Sequence, residues 1–299
     1  MHILITDSGV GGLSVVAYAE RFVRTHGFSE PVRLTFANAA PENDYGYNSM
    51  PSREVKLETF DRFLRNVTER FSPDRIYVAC NTLSVLLPDT SFFANGGIPV
   101  QGIVETGAEL LLRELRDEPR SLAMIFATPT TIEAGTYARV LEENGIDRSR
   151  IISQACPGLA DTISEDREGA RTGAEIRRWV DVALGVPRSS SVPRSSSEFL
   201  GGPVVAYLGC THYGYRQEMF AAAFDEVGVR ANVMNPNERA IDDLFGVNPA
   251  DLSREVEVEF VTRYAIPDAT VETLTWLLGD ISPKTVAAMQ NFVHLPELF

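Results

Sequence analysis

The chain has 299 residues, a formal net charge of −14, and 44% hydrophobic and 23% charged residues. This length suits two domains or one large one, and the composition is ordinary for a soluble globular protein. The negative charge argues against binding nucleic acid or an anionic membrane through a basic face. It leaves room for a small anion held by backbone N–H groups and hydroxyls.

The sequence carries no signal for a membrane or for secretion. No run of about 18 apolar residues occurs, so no span is predicted. The first residues enter a strand directly, and we recognise no signal peptide. Three cysteines do not form a disulfide framework in a chain of this size. We therefore expect a cytoplasmic protein without nucleic-acid or membrane partners.

Strands and helices are predicted to alternate along the whole chain. The predicted strands are 2–6, 32–37, 75–79, 98–104, 122–127, 150–155, 205–209, 230–234 and 256–264. The predicted helices are 13–22, 51–67, 84–93, 105–115, 132–144, 169–183, 215–227 and 238–245, with one or two more at the end that dock through Trp276, Leu277, Val286 and Phe292. This alternation predicts an α/β fold with mostly parallel sheets.

Two segments stand apart from this alternation. Residues 7–12 form a glycine-rich turn that could hold an anion at a helix N-terminus, but the turn lacks the spacing of a dinucleotide fingerprint and the Lys-Ser/Thr of a P-loop. Nucleotide binding is therefore not favoured. Residues 187–197 repeat Pro-Arg-Ser-Ser-Ser and are predicted to be a flexible surface insertion.

Two predicted strands end in a cysteine followed by small polar groups. Cys80 follows strand 75–79, and Cys210 follows strand 205–209 about 130 residues later. Open α/β proteins place their chemistry at the carboxyl ends of their strands. The repetition suggests two similar halves with a site between them.

These cysteines have other interpretations. A cysteine at the end of a strand is more often a small buried hydrophobe than a catalyst. A zinc site needs four ligands, or three and water, and Cys80, Cys210 and His212 supply three at most. A Cys-His hydrolase would need Cys210 and His212 to face each other, whereas residues i and i+2 point apart on a strand.

Three segments resemble the hallmark motifs of the glutamate racemase family, whose members are cofactor-independent aspartate/glutamate racemases. They are Asp-Ser-Gly-Val-Gly-Gly-Leu-Ser-Val at 7–15, Ala-Cys-Asn-Thr at 79–82 and Leu-Gly-Cys-Thr-His-Tyr at 208–213. Similar secondary motifs follow in the expected order at Tyr45-Gly46, 102–105, 128–131 with Gly135 and Tyr137, and 155–157. The resemblance covers nearly all of residues 2–245.

The resemblance implies a racemase that inverts glutamate with two thiols. Inversion at Cα requires an acid/base group on each face of the carbon. In the family's pattern Cys80 deprotonates the D-enantiomer and Cys210 the L-enantiomer, with Asp7 and His212 as their proton-handling neighbours. The residues implied to hold the substrate are Ser8, Tyr45, Gly46, Asn81, Thr82, Thr131 and Thr211.

The resemblance also implies that no cofactor and no metal takes part. A pyridoxal racemase needs a Schiff-base lysine, and the sequence has two lysines, Lys56 on a predicted amphipathic surface helix and Lys284 in the tail. The expected partner is a small acidic amino acid, with D-glutamate supplied for peptidoglycan. A homodimer is left open.

We expect a first domain from residues 1–97 and 230–299, carrying Asp7 and Cys80, and a second from 98–229, carrying Cys210 and His212. The active site is expected in the cleft between the two domains. Two alternatives remain, which are a family relative acting on aspartate or another dicarboxylate and a non-catalytic binding protein on the same fold.

The sequence departs from the family's pattern at four places. Asp44 and Gly214 stand where the family usually has proline. Asn-Pro-Asn at 235–237 replaces an acidic segment, and the acidic residue expected after Cys156 falls on Ser164. These departures leave substrate identity and the setting of His212 open.

Overall fold

The computed structural model describes residues 1–43, 45–95, 97–185, 202–246 and 252–299. The predicted insertion at 187–197 lies outside these residues. The chain divides into two compact units, the first formed by Met1–Ile103 and Asn237–Phe299 and the second by Val104–Pro236. Within the described ranges, every helix is too short or too polar to cross a membrane.

The strands and helices alternate, as the sequence predicts. In chain order the strands are β1 (His2–Asp7), β2 (Val32–Asn38), β3 (Arg75–Val78), β4 (Val100–Gly102), β5 (Leu122–Ala127), β6 (Ile151–Ala155), β7 (Val204–Gly209), β8 (Ala231–Met234), β9 (Val256–Thr262) and β10 (Val293–His294). The helices are α1 (Leu13–His26), α2 (Arg53–Phe71), α3 (Asn81–Ser84), α4 (Ser91–Asn95), α5 (Ile103–Asp117), α6 (Pro129–Ala134), α7 (Thr136–Glu143), α8 (Leu159–Glu165), α9 (Ala170–Ala183), α10 (Gln217–Glu226), α11 (Ala240–Phe245), α12 (Asp268–Leu278) and α13 (Pro283–Gln290).

The first unit is built on a parallel sheet with the strand order β10-β9-β2-β1-β3-β4. Its central strand β1 is a continuous apolar run, as expected for a strand covered on both faces. Ile3, Leu4 and Ile5 are fully buried. On one face, α2 contributes Phe60 and Phe63 to the core beneath the strands.

The second unit is built on a parallel sheet with the order β6-β5-β7-β8. Every residue of β7 is buried, which explains why this strand reads as an apolar run rather than an alternating one. Phe126 of β5 packs edge-to-face against Phe220 of α10 in the core. The predicted α/β class with parallel sheets is confirmed in both units.

Two strands at the domain boundaries lie in the opposite unit from the one predicted. The strand predicted at 98–104 is β4, and it pairs with β3 in the first sheet instead of opening the second domain. The strand predicted at 230–234 is β8, and it pairs with β7 in the second sheet instead of returning to the first. Hydrogen-bonded pairing between strands decides which sheet a strand belongs to, and the order of the strands along the chain does not reveal this pairing.

Three predicted helices are wrong in their extent. The helix predicted at 84–93 is broken into α3, a 3-10 turn at Leu87–Asp89 and α4, because Pro88 cannot donate a helical hydrogen bond. The helix predicted at 132–144 is divided into α6 and α7 by Gly135, whose φ of 63° is left-handed. The helix predicted at 215–227 begins as a 3-10 turn at Thr211–Arg216.

The C-terminal helices dock through some of the predicted residues and not through others. Leu274 and Leu278 of α12 are buried, whereas Trp276 is 54% exposed. Val286 of α13 is buried, as predicted. The difference arises from the helical phase of α12, because positions 274 and 278 share a face that position 276 does not.

Candidate active site

The register between β1 and β3 brings Ser8 beside Cys80. The two strands are parallel neighbours with Thr6 opposite Val78, and the Ala79 N–H donates to the Thr6 carbonyl at 2.9 Å. Two residues further along, the Ser8 Oγ lies 3.0 Å from the Cys80 Sγ. Asp7, which lies between Thr6 and Ser8 in sequence, is the last residue of β1 and is 1% exposed. A thiol, a hydroxyl and a carboxylate are thus gathered at the carboxyl end of the first sheet.

The surroundings of Cys80 hold its thiol protonated in the ligand-free protein. Burial, and next to it the negative charge of Asp7, raise the pKa of Cys80 to about 12. The Ser8 hydroxyl and the backbone N–H groups of Ser8 and Leu83 act in the opposite direction, because they donate hydrogen bonds that favour the thiolate. Cys80 is therefore an acid at rest that already has donors in place for its conjugate base.

Polar groups follow Cys80 directly in α3. Asn81 and Thr82 are 1% and 2% exposed, although neither an amide nor a hydroxyl gains from burial in an apolar core. Of the other predicted substrate contacts in this unit, Tyr45 is 38% exposed and Gly46 is partly exposed. Their contact with a substrate stays a prediction.

Tyr47 is a buried residue near Cys80 that the sequence prediction missed. Its ring packs edge-to-face on Phe60 in the core cluster that also contains Cys80. Its hydroxyl has no hydrogen-bond partner among the described residues. Burial, and then a negative charge on Cys80, raise the pKa of the Tyr47 phenol well above its ordinary value. Its position directly after Tyr45-Gly46 was the available signal.

The second sheet presents Cys210 in an equivalent place. β7 ends at Gly209, and Cys210 continues in an extended conformation before the 3-10 turn at Thr211–Arg216. Ala127 at the end of β5 is opposite Gly209, so the turn after β5 reaches the same edge. There the Oγ atoms of Thr128 and Thr131 lie 3.0 Å apart, both buried.

His212 stands beside Cys210 as a neutral base. The Cys210 Sγ lies 3.9 Å from the His212 Nδ1, at the long limit for a hydrogen bond to sulfur. Burial lowers the pKa of His212 to about 4. At neutral pH the imidazole is therefore uncharged, with one ring nitrogen a donor and the other an acceptor according to its tautomer. Cys210 and Thr211 are 7% and 2% exposed.

A third cysteine lies at the end of β6, next to β5. The Cys156 N–H donates to the Ala127 carbonyl at 2.9 Å, and the Tyr213 hydroxyl donates to the Cys156 carbonyl at 3.1 Å. Its side chain is 1% exposed in the core of the second unit, and burial raises the pKa of its thiol. This packing is that of a small buried side chain in the core.

Each unit thus gathers its own predicted residues. The first brings together Asp7, Ser8 and Cys80, which Asn81 and Thr82 follow directly. The second brings Cys210 beside His212, with Thr211 between them in sequence and Thr131 following the neighbouring strand β5. Among the described residues, no three or more His, Cys, Asp or Glu side chains are arranged to hold a metal ion.

The two lysines lie on helices rather than at strand ends. Lys56 is on α2, the predicted amphipathic helix, and its side chain is 9% exposed. Lys284 lies on α13, where its Nζ donates to the Val256 carbonyl at 2.8 Å. Neither lysine is in a strand-end loop, as predicted, and the long lysine stem lets Lys56 pack along apolar neighbours.

Known proteins resemble the chain in sequence and in fold. The glutamate racemase of Aquifex pyrophilus is 31% identical over 214 residues, which are 71% of this chain and 71% of the relative. Its solved structure is 25% identical, with a TM-score of 0.66 over 93% of this chain and 95% of that one. The Francisella tularensis glutamate racemase, solved in complex with D-glutamate, gives a TM-score of 0.66 at 20% identity, covering 93% of each chain. No protein-family model matches.

These similarities agree with the order of the motifs and with the two parallel sheets. The Aquifex relative is aligned over more than two thirds of its own length, so the likeness is not confined to one motif. The chain therefore belongs to the glutamate racemase family, a family of isomerases.

Proposed function

We propose that this protein interconverts L- and D-glutamate by a two-base mechanism without a cofactor, with Cys80 and Cys210 acting on opposite faces of one Cα. The observation that carries the proposal is the repetition of the same arrangement in both units. In each, a buried thiol ends a central parallel strand and has a proton-handling group beside it, Asp7 with Cys80 and His212 with Cys210.

The reaction from L- to D-glutamate can be written with every proton accounted for. The Cys210 thiolate takes the α-proton, so an S–H bond forms while the C–H bond breaks and its electron pair stays on Cα. The Cys80 thiol then gives its proton to the opposite face of Cα and becomes a thiolate. The reverse reaction exchanges the two roles, and proton exchange with solvent resets the pair.

The resting electrostatics suit this assignment. Cys80, with its pKa raised to about 12, begins as the thiol that the L-to-D direction needs. His212 is the neutral proton acceptor beside Cys210; burial, which lowers its pKa to about 4, makes it a weak base in the substrate-free protein, and a substrate carboxylate bound nearby would raise that pKa. An ammonium group on the substrate would favour a thiolate on either side, since a nearby positive charge lowers a thiol pKa.

The substrate would be held by small polar groups rather than by lysine. In the first unit we assign this role to Ser8, Tyr45, Gly46, Asn81 and Thr82, and in the second to Thr131 and Thr211. Hydroxyl, amide and backbone N–H groups can bind two carboxylates without adding a positive charge that would compete with the substrate ammonium. In a cell, the product would be D-glutamate for peptidoglycan.

A substrate profile with two variants tests the proposal. The protein is incubated with each enantiomer of glutamate and aspartate, and loss of optical rotation is followed together with chiral chromatography. We expect racemisation of glutamate above aspartate, and a loss of roughly 10²- to 10⁴-fold in Cys80→Ala and in Cys210→Ala, the range that an enzymic acid or base contributes. Circular dichroism checks that both variants fold.

Three outcomes would contradict it. Preference for aspartate would reassign the substrate, and full activity of either variant would remove the two-thiol mechanism. No turnover of either amino acid by the folded wild-type protein would favour a binding role.

A further inference from the structure

Two of the departures from the family's motifs touch each other in the second unit. Gly214 lies in the 3-10 turn Thr211–Arg216, two residues after His212. Asn235 directly follows β8, which is the parallel neighbour of β7, the strand that delivers Cys210. The two residues are 21 positions apart in sequence, and nothing in the motif itself couples them.

Asn235 occupies the space that a side chain at position 214 would need. A Cβ atom placed on Gly214 would lie 2.6 Å from the Asn235 Oδ1, 2.7 Å from its Nδ2 and 2.8 Å from its Cγ. Real Cβ atoms essentially never approach other atoms within 3.0 Å. The three nearest atoms all belong to the same carboxamide, so the fit is specific to this pair.

The contact between Asn235 and Gly214 also includes a hydrogen bond, which links the turn Thr211–Arg216 to the end of β8. The Asn235 Nδ2 donates to the Gly214 carbonyl at 3.5 Å. A second hydrogen bond lies three residues after Gly214, where the Gln217 Nε2 donates to the Val233 carbonyl at 2.8 Å. The turn Thr211–Arg216 is therefore hydrogen-bonded at its middle to Asn235, directly after β8, and the helix α10 that follows the turn is hydrogen-bonded to β8 itself.

We propose that Asn235 is a positioning residue for the reaction, and that its carboxamide, seated against Gly214, holds the turn that orients His212 and Cys210. This inference rests on the function proposed above. The glycine and the asparagine therefore act here as one unit. A side chain at position 214 pushes the Asn235 carboxamide out of its place, and loss of Asn235 removes it, so either change alone breaks the same hydrogen bond to the turn.

A double-mutant cycle tests the coupling. It compares the wild type with Gly214→Ala, Asn235→Ala and the double variant, and takes kcat/KM for glutamate as the measure. We expect Gly214→Ala to lose roughly 10- to 100-fold, because small misplacements of catalytic groups cost rates of this order. The double variant should recover to within about threefold of Asn235→Ala, since the clashing carboxamide is gone.

Two further variants serve as controls. Gly173→Ala places a methyl group in the same unit where no atom lies within 4 Å, and it should leave kcat/KM unchanged. Asn235→Asp keeps the shape of the side chain but replaces its amide donor with a carboxylate. It should therefore retain the packing against Gly214 and lose the hydrogen bond to the Gly214 carbonyl. Losses that multiply in the double variant would overturn the proposal.

A second readout separates positioning from simple loss of folded enzyme. If the turn is displaced, proton transfer at the Cys210 face becomes slower relative to transfer at the Cys80 face. Gly214→Ala should then increase the primary isotope effect with α-deuterated L-glutamate and decrease it with α-deuterated D-glutamate. A smaller active fraction would change neither value, so unchanged isotope effects would overturn the positioning role.

The same cycle can be measured without turnover. The rate of iodoacetamide alkylation at Cys210, resolved by peptide mass, reports the setting of the thiol in the substrate-free protein. Should the wild type fail to racemise any amino acid, the proposed function falls, while coupled alkylation rates would still support the contact between Asn235 and the turn. Alkylation rates that show no coupling between positions 214 and 235 would overturn the role of this contact as well.

Discussion

The Ser8 Oγ lies 3.0 Å from the Cys80 Sγ, although the two residues are 72 positions apart. The parallel pairing of β1 with β3 produces this contact, because both side chains follow their strands at the same height in the sheet. Asp7 lies one position before Ser8 and acts on the same thiol with the opposite effect. Cys80 is thus set between a group that favours its thiolate and one that disfavours it.

This opposition predicts variants with opposite effects on Cys80. Asp7→Asn removes the charge that raises the pKa of Cys80, so alkylation of Cys80 at pH 8 should become about tenfold faster. Ser8→Ala removes a donor to the thiolate and should slow it. Peptide mass spectrometry after iodoacetamide treatment measures both rates, with Cys156 in the same digest as the control. Equal rates in the two variants would contradict the account.

A racemisation assay adds a second contrast for the same pair. Asp7→Asn should lower kcat even though its Cys80 is more reactive, because the carboxylate is the group that handles the proton of Cys80. A variant with faster alkylation and faster racemisation would show that Asp7 only tunes the thiol.

His212 predicts a pH dependence of stability. Its pKa is about 4 in the folded protein and 6.5 when unperturbed, so the unfolded chain binds the proton more readily. Stability due to this group is present above pH 6.5 and falls as the pH is lowered towards 4. Between pH 7 and pH 5 the loss should be about 2 kcal/mol.

Urea unfolding of the wild type and His212→Gln at both pH values isolates this contribution. The carboxylates titrate alike in the two proteins, so the difference between them belongs to His212. The wild type should lose about 2 kcal/mol more than the variant on going to pH 5. Equal losses would show that His212 is not buried as a neutral base.

Two buried tyrosines of the first unit should respond oppositely to loss of their hydroxyls. The Tyr47 hydroxyl has no hydrogen-bond partner among the described residues, whereas the Tyr77 hydroxyl donates to the Asp243 Oδ2 at 2.9 Å. Tyr47→Phe should raise the free energy of unfolding by about 1 kcal/mol, because an unsatisfied buried hydroxyl is costly. Tyr77→Phe should lower it by a similar amount. Thermal and urea unfolding check the signs, and a destabilised Tyr47→Phe protein would contradict the prediction.

The sequence alone supports the class of fold and most positions of the strands, because parallel strands buried on both faces read as apolar runs between turns. It also supports the pairing of each cysteine with small polar neighbours, since those are adjacent in sequence. It does not reveal which sheet β4 and β8 join, because pairing is decided by contacts far apart along the chain. Breaks within helices at Pro88 and Gly135 depend on local backbone geometry that an average apolar periodicity overlooks.

The contact between Gly214 and Asn235 could not be predicted from the sequence either, because it also depends on the pairing of strands that are far apart along the chain. Both positions could be marked as unusual against the family's pattern, but only the neighbouring positions of β7 and β8 bring them together. Trp276 was assigned to the wrong side of α12 because apolar character alone does not fix the phase of a helix.

The central claim, two thiols on opposite faces of one Cα, is tested most directly by racemising L-glutamate in heavy water and stopping below about one tenth conversion. Cys210 removes the α-proton of L-glutamate, and Cys80 supplies the new α-hydrogen of D-glutamate. The thiol of Cys80 has exchanged its proton with heavy water, so it delivers deuterium. We predict that the D-glutamate carries deuterium at Cα and that the remaining L-glutamate does not. D-glutamate that retains protium, or L-glutamate labelled as fast as product forms, would contradict the account.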